Sequence, residues 1–129
     1  MTILIVDDSR LMRNIVKNCF NLLKIPCQYV EACSGKDALM QLQTHLINLV
    51  LLDWNMPEMS GIEFLKQVRA MDKYKNLPII MVTSEGTKHN VIEAFKHGAT
   101  DFLVKPLNEK YLREKVFRLI SDWGTGSES

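Results

Sequence analysis

Short apolar runs alternate along this chain with longer stretches in which apolar residues recur every three or four positions. Apolar runs of four to six residues that end at polar groups are typical of strands buried on both faces of a parallel sheet. The three-to-four spacing is typical of amphipathic helices. We predict five strands, each followed by a helix, at residues 3–6, 27–32, 48–53, 78–83 and 101–104.

The predicted helices have recognisable starts and buried faces. The apolar spacing predicts that Leu11 belongs to the buried stripe of the first helix, and that Ile92 and Phe95 belong to that of the fourth. Side chains that accept hydrogen bonds from the first free backbone N–H groups of a helix stand just before four of the helices. These candidate caps are Ser9 or Asp8, Ser34, Ser60 and Asn108.

Strands that alternate with helices predict a parallel sheet covered by helices on both faces. Right-handed crossovers then bring the carboxyl ends of all the strands to one edge. We therefore predict a doubly wound α/β fold, a three-layer sandwich of five parallel strands and five helices, as one domain over residues 1–123. Residues 124–129, rich in glycine and serine, are expected to form a flexible C-terminal tail.

Composition narrows the class of protein. A chain of 129 residues with 47% hydrophobic and 24% charged residues is large enough for a packed core. A formal net charge of +1 gives no electrostatic case for nucleic acid, and no apolar run approaches the roughly 18 residues of a membrane span. Cys19, Cys27 and Cys33 lack metal-ligand spacing, so we interpret them as small core residues in a reducing compartment. We expect a cytoplasmic protein without membrane insertion or nucleic-acid binding.

Polar side chains follow four of the strands at the shared edge: Asp7, Asp8, Asp53, Thr83 and Lys105. Capping or turn formation explains each of them separately but does not readily account for all of them together. Neighbouring carboxylates repel one another, and a hard cation held by oxygen ligands alone, Mg²⁺ rather than Zn²⁺, relieves the repulsion. With Asp53 as nucleophile and Lys105 to bind a phosphoryl oxygen, the edge has the parts needed to form an aspartyl phosphate.

Four motifs, in this order and spacing, resemble the receiver domains of bacterial two-component response regulators, most closely the single-domain chemotaxis regulators of the CheY type. Each motif is weak alone, and the four together are specific. The resemblance covers residues 2–121 and implies the flavodoxin-like strand order 2-1-3-4-5. The motifs are Val6-Asp7-Asp8, Leu52-Asp53-Trp54-Asn55-Met56-Pro57, Val82-Thr83-Ser84 and Leu103-Val104-Lys105-Pro106.

The resemblance implies a role for each residue of the edge. Asp53 would accept a phosphoryl group from a phosphohistidine on a partner histidine kinase. Asp8 and Asp53 would ligate Mg²⁺, and Asp7 would reach the metal mostly through water. Lys105 would pair with the phosphoryl group, and its peptide bond to Pro106 is implied to be cis.

Switching and lifetime are also implied by the resemblance. Thr83 would move to bond the new phosphoryl group, and Phe102 would be the aromatic side chain that turns inward on activation. The chemotaxis regulators have tyrosine at this position, so Phe102 offers no hydroxyl to a partner. The backbone carbonyl of Asn55 would be a metal ligand. The side chains of Asn55 and Glu85 would tune dephosphorylation, and these residue types predict a fairly short-lived aspartyl phosphate.

The implied readout surface is the fourth helix, the fifth strand and the fifth helix. It would control a downstream protein, for which a flagellar motor switch protein or a phosphatase are candidates. Lysine and arginine on this surface suit an acidic partner, although a merely solvated face would look the same. The candidate residues are Lys88, Val91, Phe102, Tyr111, Lys115 and Arg118.

Three other classes of protein share some of these features. Haloacid-dehalogenase phosphatases share the aspartate nucleophile and Mg²⁺, but they need a second aspartate as general acid where this chain has Asn55. A flavodoxin-like cofactor carrier needs a phosphate loop after the first strand, where Asp7 and Asp8 would repel a phosphate. The third possibility, that the chain is the receiver domain of a larger response regulator, stays open. We expect a signalling switch that catalyses only its own phosphorylation and dephosphorylation.

Overall fold

A computed structural model describes the backbone of residues 1–128 and the side chains of residues 1–119. Within these residues, five parallel strands form one sheet in the order β2-β1-β3-β4-β5, as predicted. The strands are β1 (Thr2–Val6), β2 (Gln28–Ala32), β3 (Leu49–Asp53), β4 (Ile79–Thr83) and β5 (Asp101–Val104). The helices are α1 (Arg10–Leu22), α2 (Gly35–Thr44), α3 (Gly61–Arg69), α4 (Lys88–Lys96) and α5 (Glu109–Glu128), with a 3₁₀ turn at Asp72–Tyr74.

Successive residues of each strand point into two different apolar layers. Leu52 packs in the layer that includes Ala38 of α2 and Phe64 of α3. Its neighbour Leu51 packs in the layer that includes Phe20 of α1 and Val116 of α5. Because both faces of the sheet are covered, the central strands are apolar throughout rather than alternating. The three-layer doubly wound fold is therefore confirmed.

Side-chain caps start the helices at the carboxyl edge of the sheet. Ser9, rather than Asp8, caps α1, and Ser34 and Ser60 cap α2 and α3. Thr87, which the sequence did not single out, caps α4. The Asn108 side chain accepts a hydrogen bond from a backbone N–H in the first turn of α5. The loops of this edge are thereby fixed by hydrogen bonds next to the strand ends.

The predicted burial of four residues is wrong. Leu11 is 69% exposed, because the buried residues of α1 lie in its second half. Ile92 and Phe95 are 54% and 45% exposed, because the only side chain that α4 buries is the small one of Ala94. Cys33 lies exposed just beyond β2, whereas Cys19 is buried and Cys27 half-buried. Apolar spacing identified these helices without fixing how much of each face the sheet covers.

The end of the chain differs from the expected boundary. The backbone of α5 continues to Glu128, so the helix does not stop at residue 123, the predicted end of the domain. No proline interrupts this stretch, and its glycines weaken a helix without breaking it. Flexibility of residues 124–129 stays a prediction, and Ser129 lies outside the described residues. None of the helices within residues 1–128 combines the length and apolar character of a membrane span.

Candidate functional site

Four strand ends deliver polar side chains to one place. Asp53 and Thr83 are the last residues of β3 and β4, and Asp7 directly follows β1. All three are almost completely buried, with 5%, 3% and 5% of their surface exposed. Lys105 follows β5 and is half-buried, whereas Asp8 is exposed. The strands that carry these polar groups are packed against apolar layers on both faces of the sheet. The site is therefore built on the sheet rather than on a mobile loop.

The three carboxylates form a cluster that suits a hard cation. One carboxylate oxygen from each of Asp7, Asp8 and Asp53 lies within 4.8 Å of the others. Oxygen ligands without histidine or cysteine favour Mg²⁺, which takes one or two carboxylates and keeps open positions for water and phosphate oxygens. The donor set therefore fits Mg²⁺ at the end of β3.

Lys105 contacts two of the three carboxylates of the acidic cluster. Its Nζ donates a hydrogen bond to Asp53 Oδ1 at 3.0 Å and lies 3.6 Å from Asp7 Oδ2. The Lys105 backbone N–H donates to the Thr83 carbonyl at 2.7 Å, which ties the loop after β5 to the end of β4. The peptide bond from Lys105 to Pro106 is cis, as the resemblance implies. One ammonium thus stands next to two buried carboxylates.

The electrostatics of the cluster are unfavourable without a further cation. Burial raises the pKa of Asp53, and the negative charge of Asp8 raises it further against the opposing effect of Lys105. Burial likewise raises the pKa of Asp7, with the charge of Asp53 adding to it and the Ser9 N–H opposing it. Burial alone would lower the pKa of Lys105, but its contacts with Asp53 and Asp7 outweigh burial and raise it. A divalent cation would relieve the repulsion among the carboxylates.

The Thr83 hydroxyl is engaged with its own loop. It accepts a hydrogen bond from the Glu85 N–H at 3.1 Å and donates to the Glu85 carbonyl at 3.3 Å. The same carbonyl accepts from the Asn90 side chain of α4 at 2.9 Å. The side chains of Glu85 and Asn55 are exposed at the rim of the site. Thr83 is therefore linked to α4 through a single backbone carbonyl.

Phe102 lies away from the carboxylates, on the surface between α4 and α5. Its half-buried ring meets the ring of Phe95 edge to face, with centroids 6.1 Å apart and planes at 89°. The Nζ of Lys115 lies 5.1 Å from the Phe102 ring centroid. The strand that delivers Lys105 to the site thus also delivers an aromatic ring to this surface.

The six predicted surface residues lie together on α4, β5 and α5. Lys88, Tyr111 and Arg118 are exposed, and the other three are half-buried. A groove of about 420 Å³ runs along β5 and α5, and three of the six residues line it. The residues that line this groove are Phe102, Leu103, Val104, Lys105, Pro106, Asn108, Tyr111 and Lys115.

Sequence reasoning missed Arg13, which supports Asp7. Its Nη1 donates to the Asp7 carbonyl at 2.7 Å, and its Nε donates to Glu31 of β2 at 2.9 Å. Lys17 pairs with the other oxygen of Glu31 at 3.0 Å. A signal was present in the sequence, because Arg13 stands three residues before the buried Val16 and therefore on the inward side of α1.

Gly61, also missed, allows α3 to begin directly against the end of β3. A Cβ at this position would lie 2.4 Å from the Asp53 carbonyl oxygen and 3.0 Å from the Trp54 Cα. The Gly61 N–H donates to the Trp54 carbonyl at 2.9 Å. Only a residue without a side chain permits this approach of two backbones.

The comparisons with known proteins agree with this geometry. The model of the response regulator receiver domain family matches residues 3–117. The chain is 44% identical over 128 residues to the chemotaxis protein CheY homolog of Campylobacter jejuni strain 81-176, covering 98% of this chain and 95% of that relative. It is 44% identical over 117 residues to chemotaxis protein CheY1 of Helicobacter pylori strain J99, covering 90% and 94%. The solved chemotaxis protein CheY4 of Vibrio cholerae superposes with a TM-score of 0.83 at 35% identity, over 92% of this chain and 97% of that one.

Proposed function

The chain belongs to the response regulator receiver family and is of the CheY type, and from this premise we propose that Asp53 accepts a phosphoryl group from a histidine kinase with the help of Mg²⁺. One observation carries the proposal: the buried Asp53 carboxylate lies 3.0 Å from the Lys105 ammonium and within 4.8 Å of two further carboxylates. A nucleophile, a cation site and a positive side chain are thereby within reach of one phosphoryl group. Relatives named for chemotaxis support a role in chemotaxis signalling. We place that role in the cytoplasm as part of the proposal.

The transfer is an in-line displacement at phosphorus. A carboxylate oxygen of Asp53 forms the new P–O bond while the P–N bond to the histidine breaks, and its electron pair stays on the imidazole nitrogen. Bound Mg²⁺ would neutralise charge on the phosphoryl oxygens. Asp7, Asp8 and the Asn55 carbonyl would hold it beside Asp53. Lys105, now paired with Asp53, would move its ammonium to a phosphoryl oxygen.

The proposed switch is a shift between two populations. The phosphoryl group adds about −1.5 to −2 charges and three acceptor oxygens at the end of β3. Thr83 leaves Glu85 to bond one of these oxygens, and Phe102 turns inward. Because Thr83 and Lys105 bind only the phosphorylated site in this way, they favour that conformation over the resting one.

The output surface would be the face of α4, β5 and α5. Ile92 and Phe95 of α4 and Val104 of β5 are exposed apolar side chains, and α4 and α5 also carry exposed basic residues such as Lys88 and Arg118. This combination suits an amphipathic, acidic segment of a kinase, a flagellar motor switch protein or a phosphatase. The proposed contact residues are those predicted from the sequence: Lys88, Val91, Phe102, Tyr111, Lys115 and Arg118.

The protein would act as a switch that catalyses only reactions of its own Asp53. Hydrolysis returns the switch to rest when water attacks phosphorus and the P–O bond to Asp53 breaks. The exposed side chains of Asn55 and Glu85 lie where they can influence that water. We expect a fairly short-lived aspartyl phosphate, and a lifetime of many hours would contradict this.

Acetyl phosphate tests the central proposal. Incubated with acetyl phosphate and Mg²⁺, the protein should gain the mass of one phosphoryl group, and acetate leaves as the P–O bond to the acetyl group breaks. Asp53→Asn should gain none, whereas Asp72→Asn, a change at an exposed aspartate on the 3₁₀ turn, should behave like the parent protein. Equal labelling of Asp53→Asn and the parent would rule out Asp53 as the acceptor.

Trp54 allows the metal to be tested separately. It directly follows Asp53 and is half-buried, so Mg²⁺ at the cluster should change its fluorescence. The measurement is made in Trp123→Phe, which removes the other tryptophan. The Mg²⁺-dependent change should disappear in Asp8→Asn/Trp123→Phe. If Mg²⁺ does not change the Trp54 fluorescence of Trp123→Phe, the result would argue against a metal at this edge.

A further inference from the structure

A buried ion pair anchors the outer edge of the sheet. Asp101, the first residue of β5, is 8% exposed, and its Oδ1 accepts from the Lys115 Nζ at 2.8 Å. The same oxygen accepts from the Phe102 backbone N–H at 2.9 Å. Arg118 lies farther away, with Nη1 3.8 Å from the other oxygen, and its side chain is 67% exposed. Lys115 is therefore the close and partly buried partner of Asp101.

The same ammonium also lies over the Phe102 ring. Its distance of 5.1 Å from the ring centroid is within the range of a cation–π contact. Because Asp101 fixes the ammonium, the Lys115 side chain has little freedom to follow the ring if the ring turns. Phe95 of α4 meets that ring edge to face, so contacts from both α4 and α5 favour one ring position.

We propose that Lys115, held by Asp101, is a positioning residue that keeps the Phe102 ring in its half-buried resting position and so opposes switching. The inference rests on the proposed role of Phe102 in the switch. An inward turn of the ring would break the cation–π contact and leave the ion pair to Asp101 intact. The contact therefore stabilises only the resting conformation, and by linkage it makes phosphorylation of Asp53 less favourable.

The expected size of the effect follows from the contact itself. A cation–π contact at a partly exposed site changes a conformational equilibrium by roughly two- to fivefold. Lys115→Met, which keeps the length of the side chain and removes its charge, should accelerate phosphorylation of Asp53 by that factor. The rate is measured by intact mass with acetyl phosphate at saturating Mg²⁺. Lys115→Arg keeps a cation over the ring and should leave the rate unchanged.

Arg113→Met is the matched control, because Arg113 is an exposed basic residue of the same helix that pairs with Glu109 rather than with Asp101. It should leave the rate unchanged if the ring contact, rather than the positive charge of α5, is responsible. A simple effect of Lys115 on the approach of anionic acetyl phosphate has the opposite sign, since loss of a positive charge would slow the reaction. Slower or unchanged phosphorylation of Lys115→Met would overturn the inference.

A double-mutant cycle isolates the ring. In Phe102→Leu the contact is absent, so adding Lys115→Met should have no further effect on the rate. An acceleration of the same size in both backgrounds would contradict the inference. Since Lys115→Met leaves a buried carboxylate with a weaker partner, Asp101→Asn/Lys115→Met, which removes both charges, is measured beside it and should show the same acceleration.

The ring position itself can be read without phosphorylation. With 4-fluorophenylalanine at position 102, the fluorine resonance should shift in Lys115→Met and stay in place in Arg113→Met and Lys115→Arg. In the phosphorylated parent protein it should shift in the same direction as in Lys115→Met. If the parent is not phosphorylated at all, the proposed function fails. If the parent is phosphorylated and the fluorine resonance does not shift in Lys115→Met, the positioning role of Lys115 fails while the proposed function stands.

Discussion

Leu52 and Asp53 are neighbours on β3 and are equally inaccessible, with 0% and 5% of their surface exposed, yet burial affects them in opposite ways. Removing a leucine side chain from water stabilises a fold by about 1.5–3 kcal/mol. Removing a carboxylate from water is unfavourable, and burial accordingly raises the pKa of Asp53. The body of the sheet therefore supplies stability, and its carboxyl edge uses part of that stability to keep charges where a cation or a phosphoryl group can reach them.

Leu51→Ala tests the body of the sheet and should have the largest effect. Leu51 is 1% exposed in the layer between the sheet and α1 and α5, so its loss leaves a cavity. We expect a loss of about 3–5 kcal/mol in the free energy of unfolding, measured with urea. The matched change Leu46→Ala, at a side chain 90% exposed, should cost little. The rate of Asp53 phosphorylation in the folded fraction should be unaltered. A slower rate would contradict the separation between a sheet that supplies stability and an edge that supplies chemistry.

Gly61→Ala tests the junction of the two regions. The new Cβ would stand 2.4 Å from the Asp53 carbonyl oxygen, and neither backbone can move without the other. We expect about 1–3 kcal/mol of destabilisation and slower phosphorylation, because the end of β3 must shift.

Gly86→Ala is the control for that change. Its Cβ would meet Val104 Cγ2 at 2.5 Å, which is the end of a side chain rather than backbone. A smaller loss of stability is therefore expected. An equal effect at both glycines, in thermal unfolding and in phosphorylation, would argue that backbone contact at Gly61 has no special weight.

Asp7→Asn tests the unfavourable charge at the edge. Burial and the charge of Asp53 raise the pKa of Asp7, and an amide removes that repulsion while keeping an acceptor for the Ser9 N–H. We expect a gain of about 1 kcal/mol in metal-free stability at pH 7. Mg²⁺, which stabilises the parent protein by binding its folded state, should stabilise this variant less. A variant less stable than the parent without metal would contradict the account of the edge.

Glu31→Gln should have the smallest effect and tests the support under Asp7. Hydrogen bonds from Lys17 and Arg13 lower the pKa of Glu31 below its usual 4.5. Its contribution is therefore present above pH 4.5 and is lost as the pH falls through the lowered pKa. Because the side chain is 36% exposed, we expect only about 0.5 kcal/mol at pH 7. Glu114→Gln, at an exposed position of α5, should show no comparable pH dependence in urea unfolding.

The sequence was informative wherever one strand or one helix decides the outcome. Continuous apolar runs such as Leu49–Leu52 identify strands covered on both faces, and the polar residue after each run marks the edge. Parallel connections then bring those residues together, which is why Asp7, Asp53 and Lys105 could be expected within one small volume. Local pattern and topology were sufficient for this part of the molecule.

The sequence was uninformative where contacts join distant elements. Apolar spacing on α4 predicted burial of Ile92 and Phe95, but both side chains are exposed. The pattern identifies an apolar face without saying whether the sheet or a partner covers it. The position of Lys115 over Phe102 depends on how α5 lies against β5. The helical pattern places Arg13 on the inward side of α1, but it does not reveal that the side chain bonds the Asp7 carbonyl.

The carbonyl oxygen of Glu85 has two side-chain donors, the Thr83 hydroxyl at 3.3 Å and the Asn90 amide at 2.9 Å. When the hydroxyl turns away, that oxygen keeps only the donor that belongs to the helix. The segment between strand and helix would then follow the motion of the helix, having lost its tie to the strand. Loss of the two hydrogen bonds that the hydroxyl makes with Glu85 would thus be enough to couple this segment to the helix rather than to the strand.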